Sequence, residues 1–221
     1  MNSDSSEDFD GASAPPHAAS GAGSASISAA EASTLARAGA VLFRHRGWLP
    51  VPFILIPLLV PGRQSARQWI VAAVIIAAGE AIRLAGVAAA GTVTRRRSRN
   101  VQRLVDYGVF GWVRNPLYIG NFLIWMGFVV VSGVFWFIPV AMLLFAVEYT
   151  LIVRYEEGVL ESIFGQEYLD YKARTNRWLP GAPAVARQGP HAWGEAWRSE
   201  ISTFLQYAVL AAVFWAKERW L

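Results

Sequence analysis

The feature that most constrains this chain is a run of uncharged residues, 117–147. A helix that crosses a lipid bilayer needs about 20 residues, so this run is too long for one ordinary span. Ser132 and Gly133 lie near its middle and Pro139 follows them, which favours two helices joined by a tight turn. The sequence therefore predicts a helical hairpin over 117–131 and 134–153.

Three further apolar runs flank the hairpin. Residues 69–93 are long enough to span a bilayer and carry Glu80 and Arg83, which lie on one helix face and can pair. Three prolines interrupt residues 48–61, which predicts a helix that is short, is kinked or begins upstream. Residues 201–216 fit either a short fifth span or a helix in the membrane interface, and we favour the span.

These runs predict an all-α polytopic membrane protein with about five transmembrane helices and a cytoplasmic cofactor-binding region. The composition agrees, because 54% of the residues are hydrophobic and only 16% are charged. Residues 1–34 hold almost no large apolar side chains, so we predict a disordered tail before a membrane domain over 35–221. We expect 181–221 to hold a linker and the fifth helix.

The charged residues predict the orientation of the helices and exclude some functions. Arginine and lysine are concentrated in two segments, 95–114 and 154–177, and are absent from the hairpin turn. The positive-inside rule then places both segments and the amino terminus in the cytoplasm, most simply at the plasma (inner) membrane. This pattern explains the net charge of +4 without nucleic-acid binding. With no cysteine and three scattered histidines, we expect no metal site.

The most specific strings lie in these two segments. The first is Gly-Trp-Val-Arg-Asn-Pro-Leu-Tyr-Ile-Gly, 111–120, and the second begins Arg-Tyr-Glu-Glu at 154–157. Phe-Gly-Gln-Glu-Tyr-Leu-Asp-Tyr-Lys-Ala-Arg follows at 164–174, and Arg-Trp-Leu-Pro closes the region at 177–180. Together they resemble the isoprenylcysteine carboxyl methyltransferase and phospholipid methyltransferase superfamily, over residues 80–180. The resemblance implies methyl transfer from S-adenosylmethionine to a membrane lipid or a lipidated acceptor.

The residue types suit that chemistry. Methyl transfer from a sulfonium requires the protein to hold a cofactor that carries both a carboxylate and an ammonium group. Arg114 suits the carboxylate through bidentate pairing. Glu156 and Glu157 suit the ammonium or the ribose hydroxyls, and each raises the proton affinity of the other, so one is a candidate general base. Tyr118 offers a ring and a hydroxyl at the same turn.

The resemblance adds further roles. Asn115 stands where the family usually has His, so any acid–base role of that His is lost, and we predict a cofactor-pocket residue instead. Tyr168, Tyr171 and Arg174 share one helix face. Tyr171 and Arg174 are candidates for a lid over the cofactor or for holding an anionic part of the acceptor, and Arg174 joins Glu156 and Glu157 as a candidate catalytic residue.

Other functions and acceptors fit parts of the pattern. A membrane reductase that uses NADPH and a non-enzymatic protein that retains the fold are the alternatives, and cofactor binding separates them. A prenylcysteine-type carboxylate is already nucleophilic, whereas a phospholipid amine must lose a proton, which one of the paired glutamates could accept. Both acceptors and any oligomeric state are compatible with the sequence.

Overall fold

The computed structural model describes residues 34–35, 37–48, 50–91, 103–183 and 187–218. These residues form helices and connecting turns with no strand. After a helical segment at 37–44, the elements are α1 Pro50–Leu59, α2 Ala66–Ala90, α3 Val109–Trp112, α4 Pro116–Ser132, α5 Phe137–Phe164, α6 Gln166–Arg174 and α7 Trp193–Lys217. The tail predicted for 1–34 lies almost entirely outside the described residues.

Three helices have the length and composition to cross a membrane, namely α2, α5 and α7. The shorter helices α1 and α4 are also apolar. The predicted all-α polytopic membrane fold is therefore confirmed. The predicted helix at 48–61 is short, as one of the alternatives expected, and it contains Pro57.

The predicted hairpin is formed by α4 and α5. Pro116 occupies the first turn of α4, where a missing backbone N–H costs nothing. Gly133 ends α4 with a φ of 73° and a ψ of 6°, a left-handed conformation that glycine adopts without strain. The expected boundary at Val153 is wrong, because α5 continues through the charged residues to Phe164 and ends only at Gly165.

This extension positions the charged residues. At 1.5 Å per residue, the 28 residues of α5 span about 42 Å, whereas a hydrocarbon core is about 30 Å thick. The helix is therefore long enough to carry its last turns beyond the hydrocarbon. No helix-breaking residue lies between Val153 and Gly158, so the paired glutamates are helical rather than part of a separate amphipathic segment.

Glycines allow α2 and α4 to pack closely. A Cβ atom added to Gly79 would lie 2.7 Å from the carbonyl oxygen of Gly120, and one added to Gly120 would lie 2.6 Å from that of Gly79. Both distances are too short for any larger residue without movement of the backbone. Small residues at such a crossing are typical of helix pairs in membranes, where close van der Waals packing replaces the hydrophobic driving force.

The helix α7 runs antiparallel to α2. At one end the backbone N–H of Ala192 donates to Ala88, at 2.8 Å. At the other end the Gln64 side chain donates to the carbonyl oxygen of Phe214, at 2.6 Å. Contact with both ends of α2 favours the predicted fifth span over a helix lying in the membrane interface. The helix also begins earlier than the apolar run suggested, at Trp193.

Between these ends, polar side chains join α2, α4 and α7. We call them the Glu200 cluster: Glu80, Arg83, Asn121, Glu200 and Tyr207. Arg83 donates to Asn121 and to Glu200, with Nη2 3.2 Å from Glu200 Oε1. Its Nε lies 3.5 Å from Glu80, and the Tyr207 hydroxyl donates to Glu80 at 3.2 Å. The predicted pairing of Glu80 with Arg83 is confirmed.

Lys217 anchors the last turn of α7 to the hairpin turn. Its Nζ donates to the carbonyl oxygens of Pro57 and Ser132, at 2.6 and 3.2 Å. The Pro57 carbonyl has no helical donor four residues later, because residue 61 is also a proline. Lys217 satisfies that carbonyl and is itself 2% exposed.

Candidate functional site

The amino-terminal end of α4 and the carboxyl-terminal turns of α5 meet at one end of the hairpin. The tight turn at Gly133 makes the two helices antiparallel, so residues just before α4 face residues late in α5. The chain then reverses at Gly165 and α6 packs back over the same end. Residues from three separate stretches of sequence therefore share one site.

Glu157 lies at the centre of this site and pairs with two arginines. Its Oε1 is 3.0 Å from Nη2 of Arg114, and its Oε2 is 2.5 Å from Nη2 of Arg177. The Nε atoms of both arginines also donate to Oε1, each at 3.1 Å. We call Arg114, Glu157 and Arg177 the Glu157 cluster.

Arg114 also holds the end of α6. Its Nη1 donates to the carbonyl oxygens of Lys172 and Thr175, at 2.9 and 2.7 Å. These carbonyls lie in and just after the last turn of α6, where backbone acceptors lack helical donors and where a positive charge is favoured. Only 9% of the Arg114 side chain is exposed, so the guanidinium is enclosed by its partners.

The loop after α6 is fastened to the segment before α4. The backbone N–H of Arg114 donates to Asn176, and that of Gly181 donates to Trp112, each at 2.9 Å. The Asn115 side chain donates from Nδ2 to the carbonyl oxygen of Arg177, at 3.1 Å. Asn115 thus positions the residue that supplies the second guanidinium of the Glu157 cluster, in a role that needs no titratable group.

Glu156, the other member of the glutamate pair, has a different partner. The Tyr118 hydroxyl donates to Oε2 of Glu156 at 2.8 Å. The Tyr118 ring packs edge-on against Tyr149, with centroids 4.8 Å apart. Adjacent residues on a helix point about 100° apart, so Glu156 and Glu157 serve different sides of the site. Glu156 is therefore held separately from the two arginines.

The shared face of α6 predicted from the three-residue spacing is present. Tyr168 and Tyr171 are both buried, with their ring centroids 5.9 Å apart, and the Tyr171 hydroxyl donates to the carbonyl oxygen of Phe110 at 2.8 Å. Arg174 lies over the Tyr171 ring, 5.6 Å from its centroid, and pairs with Asp106. Asp106 also accepts from Arg187, at 2.7 Å.

Burial and charge act on the protonation of these groups. Burial raises the pKa of Tyr168 and that of Tyr171 well above the ordinary tyrosine value, so both hydroxyls stay neutral hydrogen-bond donors. The hydrogen bonds from Arg177 to Glu157 raise the pKa of the Arg177 guanidinium. The Glu157 cluster therefore contains two permanent positive charges and one carboxylate.

The structure brings most of the predicted site residues together. Arg114, Asn115, Tyr118, Glu156 and Glu157 all lie where α4 and α5 meet. Tyr171 and Arg174 lie on the neighbouring α6, where they contact Phe110 and Asp106 rather than the glutamates. Arg114 and Glu157, predicted to hold opposite charges of one cofactor, are partners of each other.

Sequence reasoning missed two residues that complete the arrangement. Arg177 pairs with Glu157, although it was weighed only as part of a closing motif and as a positive-inside charge. Asp106 connects Arg174 with Arg187, and nothing in the sequence around it signalled that contact. The signal that could have identified Arg177 is its position three residues before Pro180, inside the closing string at 177–180.

The fold and site together define a class of protein: a helical integral membrane protein with a charged site at one end of a helical hairpin. Residues 67–167 match the sequence model of the phospholipid methyltransferase family. The protein-S-isoprenylcysteine O-methyltransferase of Mus musculus is 32% identical over 110 residues, and that of Rattus norvegicus is 30% identical over 122 residues. These matches confirm the predicted resemblance: the matched segment is similar to integral-membrane methyltransferases.

The matches are partial. The two isoprenylcysteine methyltransferases are covered over 38% and 42% of their own length, and they cover 46% and 51% of this chain. The nickel-cobalt-cadmium resistance protein NccN of Alcaligenes xylosoxydans xylosoxydans is 29% identical over 142 residues, 63% of this chain and 66% of that protein. Within the described residues, no group of three His, Cys, Asp or Glu side chains could hold a metal ion. No solved structure matches the chain.

Proposed function

We propose that this protein transfers a methyl group from S-adenosylmethionine to a lipid or lipidated acceptor at the membrane surface. The observation that carries the proposal is the Glu157 cluster, in which two guanidiniums face one carboxylate. One positive charge is in excess, which suits the carboxylate of a zwitterionic cofactor. The resemblance of residues 67–167 to methyltransferases supports the same chemistry.

The two arginines are unequal candidates for that carboxylate. Arg114 is enclosed and donates to two backbone carbonyls, whereas 32% of the Arg177 side chain is exposed. A carboxylate can therefore approach Arg177 without first disrupting α6. In this proposal Arg177 binds the cofactor carboxylate and Arg114 orients Glu157, which with Glu156 offers acceptors for the cofactor's ammonium or ribose hydroxyls.

S-adenosylmethionine supplies an electrophilic methyl group on a sulfonium, and the chain's own residues must position the acceptor in line with it. A carboxylate acceptor attacks directly through one of its oxygens. An amine acceptor must first lose a proton, and Glu156 is the candidate base because it is not paired with an arginine. Its hydrogen bond from Tyr118 fixes the carboxylate and leaves one oxygen for that proton.

Cofactor binding tests the proposal against its alternatives. Purified protein in neutral detergent is titrated with S-adenosylmethionine and with NADPH by calorimetry, and methyl-labelled cofactor is then used to follow label into membrane lipids. We expect micromolar binding of S-adenosylmethionine, about −8 kcal/mol, and no comparable binding of NADPH. Binding of NADPH alone would favour the reductase, and binding of neither would favour a non-enzymatic protein.

The proposed orientation places the site in the cytoplasm and the hairpin turn on the opposite face. The chain has no cysteine, so single cysteines can be introduced at positions 97, 136 and 172 and labelled in intact cells with a membrane-impermeant reagent. Trp136 follows the hairpin turn and is 60% exposed, whereas a side chain at Gly133 would clash with the Arg63 backbone. We expect label at 136 only. Label at 172 without label at 136 would reverse the proposed orientation, which rests on the distribution of arginine and lysine.

A further inference from the structure

Arg46 reaches the site from a segment that precedes all the motifs. Its guanidinium carbon lies 4.2 Å from the centroid of the Phe43 ring, and the Phe43 ring packs against Tyr155 of α5, with centroids 5.7 Å apart. Gly39 lies against the same turn, because a Cβ atom added there would be 2.9 Å from Cβ of Tyr155. Residues 37–48 therefore pack against α5 next to the glutamate pair.

Arg46 differs from the other arginines of the described segments. Five of them are paired with carboxylates: Arg83, Arg114, Arg174, Arg177 and Arg187. The remaining described arginines with no carboxylate partner are exposed to solvent or lipid, apart from Arg46, which is half-buried. A partly desolvated guanidinium without an ion-pair partner is costly, and a bound anion would offset that cost.

The guanidinium of Arg46 is close to the reacting end of the site. It lies within electrostatic reach of both Glu156 and Tyr118, although it forms no ion pair with Glu156. Glu156 is already engaged by the Tyr118 hydroxyl. Among the described residues, the Glu156 carboxylate therefore has a hydrogen-bonding partner, whereas the Arg46 guanidinium has none.

We propose that Arg46 binds the anionic head group of the acceptor, a phosphate or a carboxylate carried on an apolar chain. The proposal rests on the function proposed above. Guanidinium groups bind both anions through paired hydrogen bonds, and stacking on Phe43 holds the plane of Arg46 in place. Residues 37–48 lie outside the matched segment 67–167, so the family match by itself assigns no role to Arg46.

The two anions lead to different geometries at the same residue. If the acceptor is a phospholipid amine, Arg46 holds its phosphate and the protonated amine extends towards Glu156, which takes a proton so that the nitrogen can form the bond to the methyl carbon. If the acceptor is a prenylated cysteine, Arg46 holds the carboxylate, one oxygen of which forms the bond to the methyl carbon. In either case the bond between the methyl carbon and the sulfonium sulfur breaks, and a neutral thioether is the leaving group. In both cases Arg46 determines which head groups are accepted and how far they enter.

Binding of two probes tests the proposal without methyl transfer. Calorimetry in neutral detergent measures dodecyl phosphate and N-acetyl-S-farnesylcysteine against wild-type protein and against Arg46→Ala, Arg46→Lys and Arg44→Ala. Arg44 is the matched control, because it is exposed and lies two residues away. We expect Arg46→Ala to weaken one probe about tenfold or more and Arg44→Ala to match wild type. We expect Arg46→Lys to recover only part of the affinity, because an ammonium keeps the charge but loses the paired hydrogen bonds and the stacking on Phe43.

The probe that is affected identifies the source of the anion. Loss of dodecyl phosphate binding alone indicates a phospholipid, and loss of farnesylcysteine binding alone indicates a prenylated cysteine. The proposal is overturned if wild type binds neither probe, or if Arg46→Ala binds both as wild type does. Failure of S-adenosylmethionine binding would instead contradict the proposed function, while the probe titrations would still measure anion binding by Arg46.

Steady-state kinetics gives a second, independent measurement. An acceptor-binding residue should raise KM for the acceptor about tenfold when removed and leave kcat and cofactor affinity unchanged. If Arg46 served only to act electrostatically on Glu156, Arg46→Ala would instead shift the pH profile of kcat with no change in probe binding. That second pattern would contradict the proposal.

Discussion

The Glu157 cluster and the Glu200 cluster use the same ion-pair chemistry for different purposes. In the Glu200 cluster the central carboxylate is 0% exposed and Arg83 is 16% exposed, and the side chains join three helices. In the Glu157 cluster the central carboxylate is also buried, but Arg177 is 32% exposed and faces the end of the bundle. The two clusters therefore share a buried arginine–glutamate pair, and what distinguishes the proposed site is an accessible guanidinium with excess positive charge.

The largest loss of activity is expected when a charged group is removed from the Glu157 cluster. We expect Glu157→Gln and Arg114→Ala each to abolish methyl transfer, because losing a charge-assisted hydrogen bond costs about 1.5–3 kcal/mol, tenfold or more in cofactor affinity, and the methyl donor is then misaligned. The methyl-transfer activity of each variant is measured with methyl-labelled cofactor and normalised to the amount of membrane-inserted protein. Near-normal activity in both variants would show that the pocket is elsewhere.

A substitution in the Glu200 cluster should instead lower the stability of the protein. Glu200→Gln removes one partner of a buried ion pair and leaves Arg83 partly uncompensated, which typically costs about 3–5 kcal/mol. We expect a lower free energy of unfolding in detergent, measured by thermal or denaturant unfolding, with the activity of the remaining folded protein close to wild type. If Glu200→Gln lost activity at unchanged stability, the two clusters would not be functionally distinct.

A smaller loss of stability is expected where α2 meets α4. Gly79→Val places a branched side chain against the Gly120 carbonyl, and overpacking of this kind costs about 1–3 kcal/mol. Gly158→Ala is a suitable control, since nothing lies within 4 Å of a Cβ atom at that position. Equal unfolding midpoints for the two variants would contradict the close packing of these helices.

The smallest effect is predicted for the arginine-rich segment. Arg97→Ala should change methyl transfer little, because Arg97 belongs to a run of like charges that the sequence assigns to topology. The residue lies outside the described part of the structure. A loss of activity as large as that of Arg114→Ala would extend the functional site beyond the Glu157 cluster.

The sequence predicted the hairpin well but misplaced its far end. Apolar length and the Ser132-Gly133 pair located both helices and the turn, since burial in lipid and a left-handed glycine are local requirements. The boundary at Val153 was wrong because a change from apolar to charged residues marks the edge of the membrane, not the end of a helix. Only a breaker such as Gly165 ends the hydrogen-bonded ladder of α5.

The membership of the candidate site was predictable in part, and its pairing was not. The motifs identified Arg114, Glu156 and Glu157, because these residue types at these spacings carry the chemistry of a charged cofactor. Which carboxylate pairs with which guanidinium depends on how α6 and the loop after it pack against the segment before α4. That packing is stabilised by contacts between residues about 60 positions apart in sequence, such as the hydrogen bond from Tyr171 to Phe110.

The sequence by itself determined the helices, the hairpin and the residue types of the site, because membrane burial and helix termination are decided within one or two turns of chain. Only the tertiary structure decided that Arg177 completes the Glu157 cluster, that α7 lies along α2, and that Arg46 and Phe43 pack beside Tyr155 of α5. These contacts join positions far apart in sequence, and their geometry follows from how whole helices pack, which no local pattern encodes.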